Sequence, residues 1–345
     1  MEVTKVYLAA PRGFCAGVVK AINALTWMVR VFPPPIYCYH EIVHNRLVVE
    51  AFEGAGVVFV DSVEEVPSGA PIMLSAHGSA PDVIEAARSR GAIVIDAVCP
   101  LVTKVHHEIK TRAQRGYTIV YIGHRGHEEA IGATAEAPQA IQLVETVDEF
   151  DELNPIEGPV ALLTQTTLAI SDWEQIAGRA ERVYPSLWKP GRLDLCYATT
   201  NRQGAVKKLA ERADALVVIG SANSSNTRAL ERVGRELGIR RVLRINSASE
   251  LPDDLDGVIA VTAGASAPES VVADVVAALH PRDGVEEVAT VEEDEYFPPP
   301  PELRELMSGL NAAASLLFGA QTGPVAFREE SAAASLAWLA VRSAG

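Results

Sequence analysis

The sequence predicts an α/β protein made of three similar small units, each a parallel sheet with helices packed on it, followed by a helical C-terminal tail. Two observations predict this fold. Short apolar runs typical of buried strands alternate with helix-periodic segments along most of the chain, which favours parallel sheets. A cysteine also occurs three times between such a strand and such a helix. The repetition predicts a pseudo-threefold trefoil of the units around one centre.

The first repeat begins with the apolar residues 6–9, which are predicted to be a strand, and continues through a glycine-flanked turn that carries Cys15. Apolar side chains then recur at three- and four-residue intervals between 18 and 29, the spacing of one helix face. The second repeat has the same order, because Cys99 follows a predicted strand at 93–96 and precedes another helix-periodic segment.

The third repeat contains Cys196, which follows a short run at 193–195 that is predicted to be a strand and precedes a helix. Further apolar runs typical of buried strands occur at 118–122, 161–163, 216–219 and 258–261. The C-terminal tail is predicted to form two alanine-rich helices, 306–318 and 331–341, which the turn-forming residues 319–324 separate.

The repeats also predict the domain boundaries. The predicted ranges are 17–98 for the first α/β unit, 99–195 for the second, 1–16 with 196–281 for the third, and 282–345 for the C-terminal segment and tail. Parallel sheets present their functional loops at the carboxyl ends of the strands. We therefore expect loops from all three units to face the common centre.

The composition is that of an ordinary globular protein and argues against several kinds of partner. Of the 345 residues, 48% are hydrophobic and 22% are charged, and the formal net charge is −15. Because the chain is acidic and has no run of lysine or arginine, we expect no nucleic-acid binding. The uncharged stretch 307–327 contains glycine, proline, asparagine and glutamine, so we expect no membrane span. Four cysteines without a CxxC pair or a signal peptide favour the cytoplasm.

Three cysteines at equivalent positions indicate a metal centre. A structural zinc ion usually has four ligands, often in CxxC pairs, so Cys15, Cys99 and Cys196 fit zinc poorly. They suit a [4Fe–4S] cluster whose fourth iron has no protein ligand and acts as a Lewis acid as well as an electron relay. Cys38 has no counterpart in the other units, and we expect it to be a buried apolar thiol. The spacing leaves open that all three repeated cysteines only pack in cores.

The polar loops that follow each cysteine carry neutral hydrogen-bond donors suited to an anion. The residues at these loops are His44, His77, His127, Thr166, Thr167, Ser224, Asn226 and Ser266. Such side chains, together with backbone N–H groups at helix starts, bind phosphate. Apart from Arg125, lysine and arginine are nearly absent there, so we predict a phosphate or diphosphate substrate bound by many hydrogen bonds. For Ser266, a helix-capping box with Glu269 is a competing interpretation.

Glu129 is predicted to be the proton donor of this site. A carboxyl acts as a general acid near neutral pH when burial raises its pKa and when it lies close to the leaving group. The neighbouring Glu128 is the competing carboxyl, and a third interpretation places both acids on the solvated surface.

Several stretches of the sequence, in order between residues 5 and 305, together resemble one known family. They are PRGFCAGV, HEIVHN, SAHG, CPLVTKVH, IGHRGHEE, QTTL, CYATTNRQ, GSANSSN and TAGASAPE. On these motifs the sequence is identified as a member of the 4-hydroxy-3-methylbut-2-enyl diphosphate reductase family. The resemblance implies the last step of the non-mevalonate isoprenoid pathway. In that step an allylic alcohol diphosphate takes up two electrons and two protons, loses water and becomes isopentenyl or dimethylallyl diphosphate.

The resemblance implies a role for each matching residue. The implied cluster ligands are Cys15, Cys99 and Cys196, and the implied substrate-binding residues are His44, His77, His127, Ser224, Ser225, Asn226 and Ser266. Glu129 would protonate the leaving hydroxyl, while Thr166 or Thr167 would orient that hydroxyl and relay the proton, with His127 in the same catalytic pocket. Electrons would come singly from a ferredoxin or flavodoxin.

The sequence departs from the family pattern at a few positions. Glu128 replaces the usual proline, Ile131 an acid, Val98 a threonine and Tyr39 a basic residue. These departures bear on substrate preference and leave the cluster ligands unchanged. Three alternatives stay open: a paralogue that reduces another allylic diphosphate, a cluster-dependent hydratase or dehydratase, and a cluster-bearing sensor.

Overall fold

The structure, a computed structural model, describes residues 2–90, 93–318 and 331–343. The chain divides into two compact units, each discontinuous in sequence. The ranges that share a unit are, for unit 1, Met1–Cys15, His44–Arg46 and Leu101–Asp294, and for unit 2, Ala16–Val43, Leu47–Pro100 and Glu295–Gly345. The boundaries of three domains and the trefoil stay predictions.

Strands and helices alternate along most of the chain, as the sequence predicts. In chain order the strands are β1 (Glu2–Ala10), β2 (Ile36–Tyr39), β3 (Val57–Val60), β4 (Ile72–Leu74), β5 (Val94–Asp96), β6 (Thr118–Ile122), β7 (Ile141–Val144), β8 (Val160–Thr164), β9 (Ala215–Ile219), β10 (Arg241–Ile245), β11 (Asp256–Ala263) and β12 (Val285–Ala289). The helices are α1 (Ala16–Val31), α2 (Arg46–Gly54), α3 (Pro81–Ser89), α4 (Pro100–Gln114), α5 (Glu128–Ala135), α6 (Val147–Asp151), α7 (Ile170–Val183), α8 (Tyr197–Ala210), α9 (Ser225–Glu236), α10 (Glu269–Leu279), α11 (Pro301–Phe318) and α12 (Ala332–Ser343).

The larger sheet of unit 1 is parallel throughout and has the strand order β10–β9–β11–β1–β12. Every residue of β9 is buried, because helices cover both faces of the sheet. On one face Leu209 of α8 and Leu230 of α9 pack against the strands, and on the other face Val272 and Val275 of α10 do so. This sheet places the loops after β1, β9 and β11 at one edge.

The smaller sheet of unit 1 is also parallel and has the order β7–β6–β8. Ile109 of α4 and Ala133 of α5 lie in the core on one face, and Phe150 of α6 and Ile176 of α7 lie in the core on the other. The loops after β6 and β8 therefore leave the same edge of this sheet.

Unit 2 contains a parallel sheet of order β3–β2–β4–β5, to which the C-terminal tail adds two helices. Helix α11 packs against β5 and α12 packs against α1. The guanidinium of Arg30 lies 4.8 Å from the ring centres of both Trp27 and Trp338. The tail is thus helical, as predicted, and both helices pack within unit 2, while the predicted turn at 319–324 lies outside the described residues.

The parallel α/β sheets and the helical tail confirm the predicted fold class, and one predicted strand is wrong. Residues 193–195 form no strand. Leu195 packs in the core beside β8, whereas Leu193 is 42% exposed and the carboxylate of Asp194 binds Lys104. Residues 193–195 are therefore an irregular segment, in which these three side chains have different environments. In the part of the chain that the structure describes, no helix has the length and apolar character that crossing a bilayer requires.

Candidate active site

Cys15 lies in a tight turn at the carboxyl end of β1. The turn is fixed to the end of β11, because the N–H of Gly13 donates to Ala263 O at 3.3 Å and that of Cys15 donates to Ala265 O at 3.2 Å. Gly13 has a φ of +64°, and a Cβ on it would lie 3.1 Å from the carbonyl oxygen of Ala267. The positive φ and this close approach therefore both favour glycine two positions before the cysteine.

Cys196 is the N-cap residue of α8. Its Sγ accepts the N–H of Thr199 at 3.3 Å, and its own N–H donates to Thr166 O at 2.9 Å. Burial and, to a smaller extent, the nearby Cys15 thiol raise the pKa of the Cys196 thiol to about 11. The two cysteines of unit 1 therefore share one environment, although the strand predicted before Cys196 does not exist.

The other two cysteines belong to unit 2. Cys99 follows β5, and its N–H donates to Ala76 O at 3.0 Å in the loop after the neighbouring strand β4, which also carries the half-buried His77. The ammonium of Lys20 donates to Val98 O at 2.7 Å, next to this cysteine. Cys38 lies within β2 and is fully buried, which confirms that it is a core thiol.

Glu129 lies in the first turn of α5 and is only 2% exposed, so the interpretation of it as a surface acid is wrong. Its carboxylate accepts the N–H of Thr166 at 2.6 Å and lies 3.2 Å from the Thr166 hydroxyl. Burial raises the pKa of Glu129 to about 7, although these two hydrogen bonds lower it. Glu129 is therefore ready to release a proton near neutral pH.

The structure separates the two threonines that the resemblance treats together. Thr166 contacts Glu129, whereas the Thr167 hydroxyl accepts a hydrogen bond from Gln165 Nε2 at 3.0 Å. The carbonyl of Thr167 accepts the hydroxyl of Ser225 at 3.1 Å. Only Thr166 thus touches the buried carboxylate.

The N-terminus of α9 carries three of the predicted anion-binding residues. Ser224 is its N-cap, and the Ser224 hydroxyl accepts the N–H of Thr227 at 3.3 Å. Asn226 Oδ1 accepts the N–H of Ala265 at 3.0 Å, which joins α9 to the loop after β11. The N–H groups of a first helical turn and the helix dipole make this end of α9 a favourable place for an anion.

Ser266 does not form the capping box with Glu269. Helix α10 begins at Glu269 with Pro268 as its N-cap and with no side-chain cap. The Ser266 hydroxyl instead donates to the carbonyl oxygen of His44 at 2.9 Å. The capping interpretation is therefore wrong, because the hydroxyl is used to hold the segment of His44.

His44 and His127 lie together in unit 1. Their ring centres are 5.2 Å apart in an edge-to-face arrangement. His127 is the N-cap of α5, where its Nδ1 accepts the N–H of Glu129 at 3.1 Å. Burial and, to a smaller extent, His44 lower the pKa of His127 to about 3, so His127 is neutral at pH 7. Since Nδ1 accepts, the neutral ring carries its proton on Nε2.

A cavity of about 380 Å³ opens beside these histidines, and sequence reasoning missed two of the residues that line it, His124 and Arg228. His124 Nδ1 lies 3.3 Å from the Ser225 hydroxyl. The backbone N–H of His124 donates a hydrogen bond to Gln165 Oε1 at 2.9 Å. Proximity to His127 in the same loop motif was the available signal for His124. Arg228 lies one turn after Ser224 on α9, a helical spacing that signals a shared face.

The parallel sheets, with Cys15, Cys196 and the buried carboxyl of Glu129 in the loops and helix starts of unit 1, define an α/β protein with a candidate thiol-containing site. Comparison with known proteins makes this more specific. The sequence profile of the family described as LytB protein matches residues 6–280, and the chain belongs to this family.

Curated relatives support the assignment over nearly their whole length. The 4-hydroxy-3-methylbut-2-enyl diphosphate reductase of Rhodopirellula baltica is 46% identical over 319 residues, which cover 91% of this chain and all of that protein. The enzyme of the same name from Cutibacterium acnes is 46% identical over 307 residues, covering 87% of this chain and 95% of its own.

Solved structures support the same family assignment. The E-1-hydroxy-2-methyl-but-2-enyl-4-diphosphate reductase from Plasmodium falciparum is similar with a TM-score of 0.86 and 33% identity, covering 90% of this chain and 99% of that one. A second structure, titled (E)-4-hydroxy-3-methyl-but-2-enyl diphosphate reductase, the terminal enzyme of the non-mevalonate pathway, has a TM-score of 0.58 and 30% identity. It covers 80% of this chain and 99% of its own. The family predicted from the sequence motifs is confirmed.

Proposed function

We propose that this protein reduces 4-hydroxy-3-methylbut-2-enyl diphosphate to isopentenyl and dimethylallyl diphosphate, the last step of the non-mevalonate isoprenoid pathway. The family and the names of the relatives support the reaction. The observation that carries the proposal is the buried Glu129, which accepts the N–H of Thr166, while the carbonyl oxygen of Thr166 accepts the N–H of Cys196. An acid of this kind, next to a candidate metal ligand, is what the loss of a hydroxyl as water requires.

The proposed cofactor is a [4Fe–4S] cluster whose ligands are Cys15, Cys99 and Cys196. The thiols of unit 1 fit such a group, since Cys196 is half-buried near Cys15 and its pKa is raised to about 11. A thiol in that setting stays protonated until a metal ion takes the place of the proton. When bound, the cluster would supply electrons and a Lewis-acidic iron.

The diphosphate is proposed to bind the neutral donors at the loops. These residues are His44, His77, His127, Ser224, Ser225, Asn226 and Ser266. The N-terminus of α9 supports this. Neutral groups would supply most of the hydrogen bonds to the anion, and Arg228, which lines the cavity beside His44 and His127, would add a positive charge.

The proton is proposed to pass from Glu129 to the substrate hydroxyl, directly or through the hydroxyl of Thr166, with Thr167 helping to orient the substrate. The C–O bond breaks and water leaves. Two electrons and two protons balance the step, and the electrons come one at a time from a ferredoxin or flavodoxin. The reaction is proposed to take place in the cytoplasm.

An anaerobic assay with the hydroxylated diphosphate and a chemical reductant tests the proposal. We expect both isopentenyl and dimethylallyl diphosphate to form in proportion to the reductant consumed. Turnover without any reductant would instead indicate the hydratase or dehydratase alternative. Faster reduction of a different allylic diphosphate would indicate the paralogue.

A further inference from the structure

Arg202 is a charged side chain that the proposed reaction does not use, yet it is fully buried. It lies in the second turn of α8 and is among the largest side chains with no exposure to solvent. Burying a guanidinium is costly unless its N–H groups are bonded and its charge is compensated. The contacts of Arg202 therefore indicate what the burial is for.

Those contacts connect the two cysteine segments of unit 1. Arg202 Nη2 and Nε donate to the carbonyl oxygen of Gly13 at 2.8 and 3.2 Å, two residues before Cys15. Its Nη1 donates to the carbonyl oxygen of Ala198 at 3.0 Å, two residues after Cys196. The rigid, planar guanidinium of Arg202 thus forms hydrogen bonds with the backbone beside both Cys15 and Cys196.

Glu293 compensates the buried charge. Its carboxylate lies 3.1 Å from Arg202 Nη1 and 3.3 Å from Nη2, and it also accepts a hydrogen bond of 3.0 Å from Asn201. The orientation of the guanidinium is therefore set from both sides. The bond to the Gly13 carbonyl adds a further anchor to the Cys15 turn, in which the N–H groups of Gly13 and Cys15 bind the loop after β11.

We infer that Arg202 is a positioning residue, which holds the Cys15 turn against the first turn of α8 so that the thiolates of Cys15 and Cys196 keep the separation that a shared iron–sulfur cluster needs. This inference rests on the proposed function. Groups behind metal ligands set ligand orientation and metal affinity in this way.

A lysine separates positioning from simple packing. Arg202→Lys keeps a charge for Glu293 but cannot bond Gly13 with two N–H groups and Ala198 with a third. The double variant Arg202→Met/Glu293→Gln removes the ion pair as a whole, a change that folds often tolerate. Lys208→Gln is the matched control, because Lys208 also joins α8 to a distant carbonyl, that of Ala289, but does not contact the Cys15 turn.

The cluster is rebuilt anaerobically in each protein, and iron content, the electron paramagnetic resonance spectrum of the reduced cluster and the rate of cluster loss to a chelator are measured. We expect cluster loss to be roughly 10- to 100-fold faster in both Arg202 variants. Their spectra should change, while the Tm of the cluster-free protein stays near that of wild type and Lys208→Gln behaves as wild type.

Wild-type spectra and loss rates in both variants would overturn the inference while leaving the proposed function intact. Equal acceleration in Lys208→Gln would also overturn it, since any tether on α8 would then suffice. A wild-type protein that takes up no iron would overturn the proposed function itself, and the positioning role with it. If one variant fails to fold, the other carries the same test.

Discussion

The backbone N–H of Thr166 donates to the carboxylate of Glu129 over 2.6 Å, and the Thr166 hydroxyl lies 3.2 Å from the same carboxylate. The two residues are far apart in sequence and meet because β6 and β8 are neighbouring parallel strands. Burial at this point raises the pKa of Glu129 to about 7. The contact therefore couples a carboxyl that can carry a proton to a hydroxyl that can pass it on.

Replacing Glu129 by glutamine keeps the shape of the side chain and removes its acidic proton. We expect turnover to fall by roughly 10² to 10⁴, the usual contribution of a general acid, with the cluster content unchanged. The measurement is steady-state turnover alongside iron content. Glu128→Gln is the matched control and should lose little, so equal losses from the two variants would identify the wrong carboxyl.

The pKa of Glu129 predicts how activity depends on pH. Its value of about 7 lies above the ordinary value of 4.5, so the carboxyl stays protonated up to neutral pH. Turnover that needs this proton should therefore decline as pH rises through about 7. The same raised pKa stabilises the fold at low pH, and that contribution is lost as pH rises through 7. A turnover profile of Glu129→Gln that keeps the same decline would contradict the assignment.

Removing the hydroxyl of Thr166 should lower kcat more than removing the hydroxyl of Thr167. Thr166→Val removes the hydroxyl that lies against Glu129. Because losing a hydrogen bond to a charged or proton-donating group is costly, we expect kcat to fall roughly tenfold or more. Thr167→Val removes an acceptor for Gln165 and should cost less. Measuring kcat for both variants with saturating substrate decides between them, and a larger loss from Thr167→Val would reverse the roles.

The cysteines should divide into two groups. Serine at Cys15, Cys99 or Cys196 should strip the cluster or cripple it, because the thiolate is the ligand and a hydroxyl is a poor substitute. Cys38→Ser should retain iron, since Cys38 is buried within β2. Iron and sulfide analysis with Mössbauer spectra provides the measurement. Stoichiometric zinc without iron in the wild-type protein would rule out the cluster.

The C-terminal tail should contribute stability rather than chemistry. Leu339 of α12 is fully buried, so Leu339→Ala should lower the free energy of unfolding by about 2–5 kcal/mol. Leu316 of α11 is 87% exposed, and Leu316→Ala should change that energy by less than about 0.5 kcal/mol. Denaturant unfolding measures both. A loss of turnover in the folded Leu339→Ala protein would assign the tail a catalytic part.

Two residues show why the sequence motifs could not yield the whole site. Arg202 stands within CYATTNRQ, a motif that supported the family, but arginine is rarely buried and nothing local marks this one as an exception. Arg228 belongs to a helix whose first residues were expected to bind the anion, yet its place on the cavity wall depends on how α9 packs. Whether a side chain is buried, and which way it faces, depends on how the chain packs.

By itself the sequence determined the parallel α/β class, most strands and helices, the family and the buried Cys38, because apolar periodicity and turn residues act over a few positions along the chain. Only the tertiary structure decided that Glu129 is the buried acid and that Thr166, not Thr167, contacts it. It also decided that the Ser266 hydroxyl binds the His44 carbonyl and that residues 193–195 form no strand. The physical reason is that these outcomes depend on desolvation and hydrogen bonds between segments far apart in sequence, which no local pattern encodes.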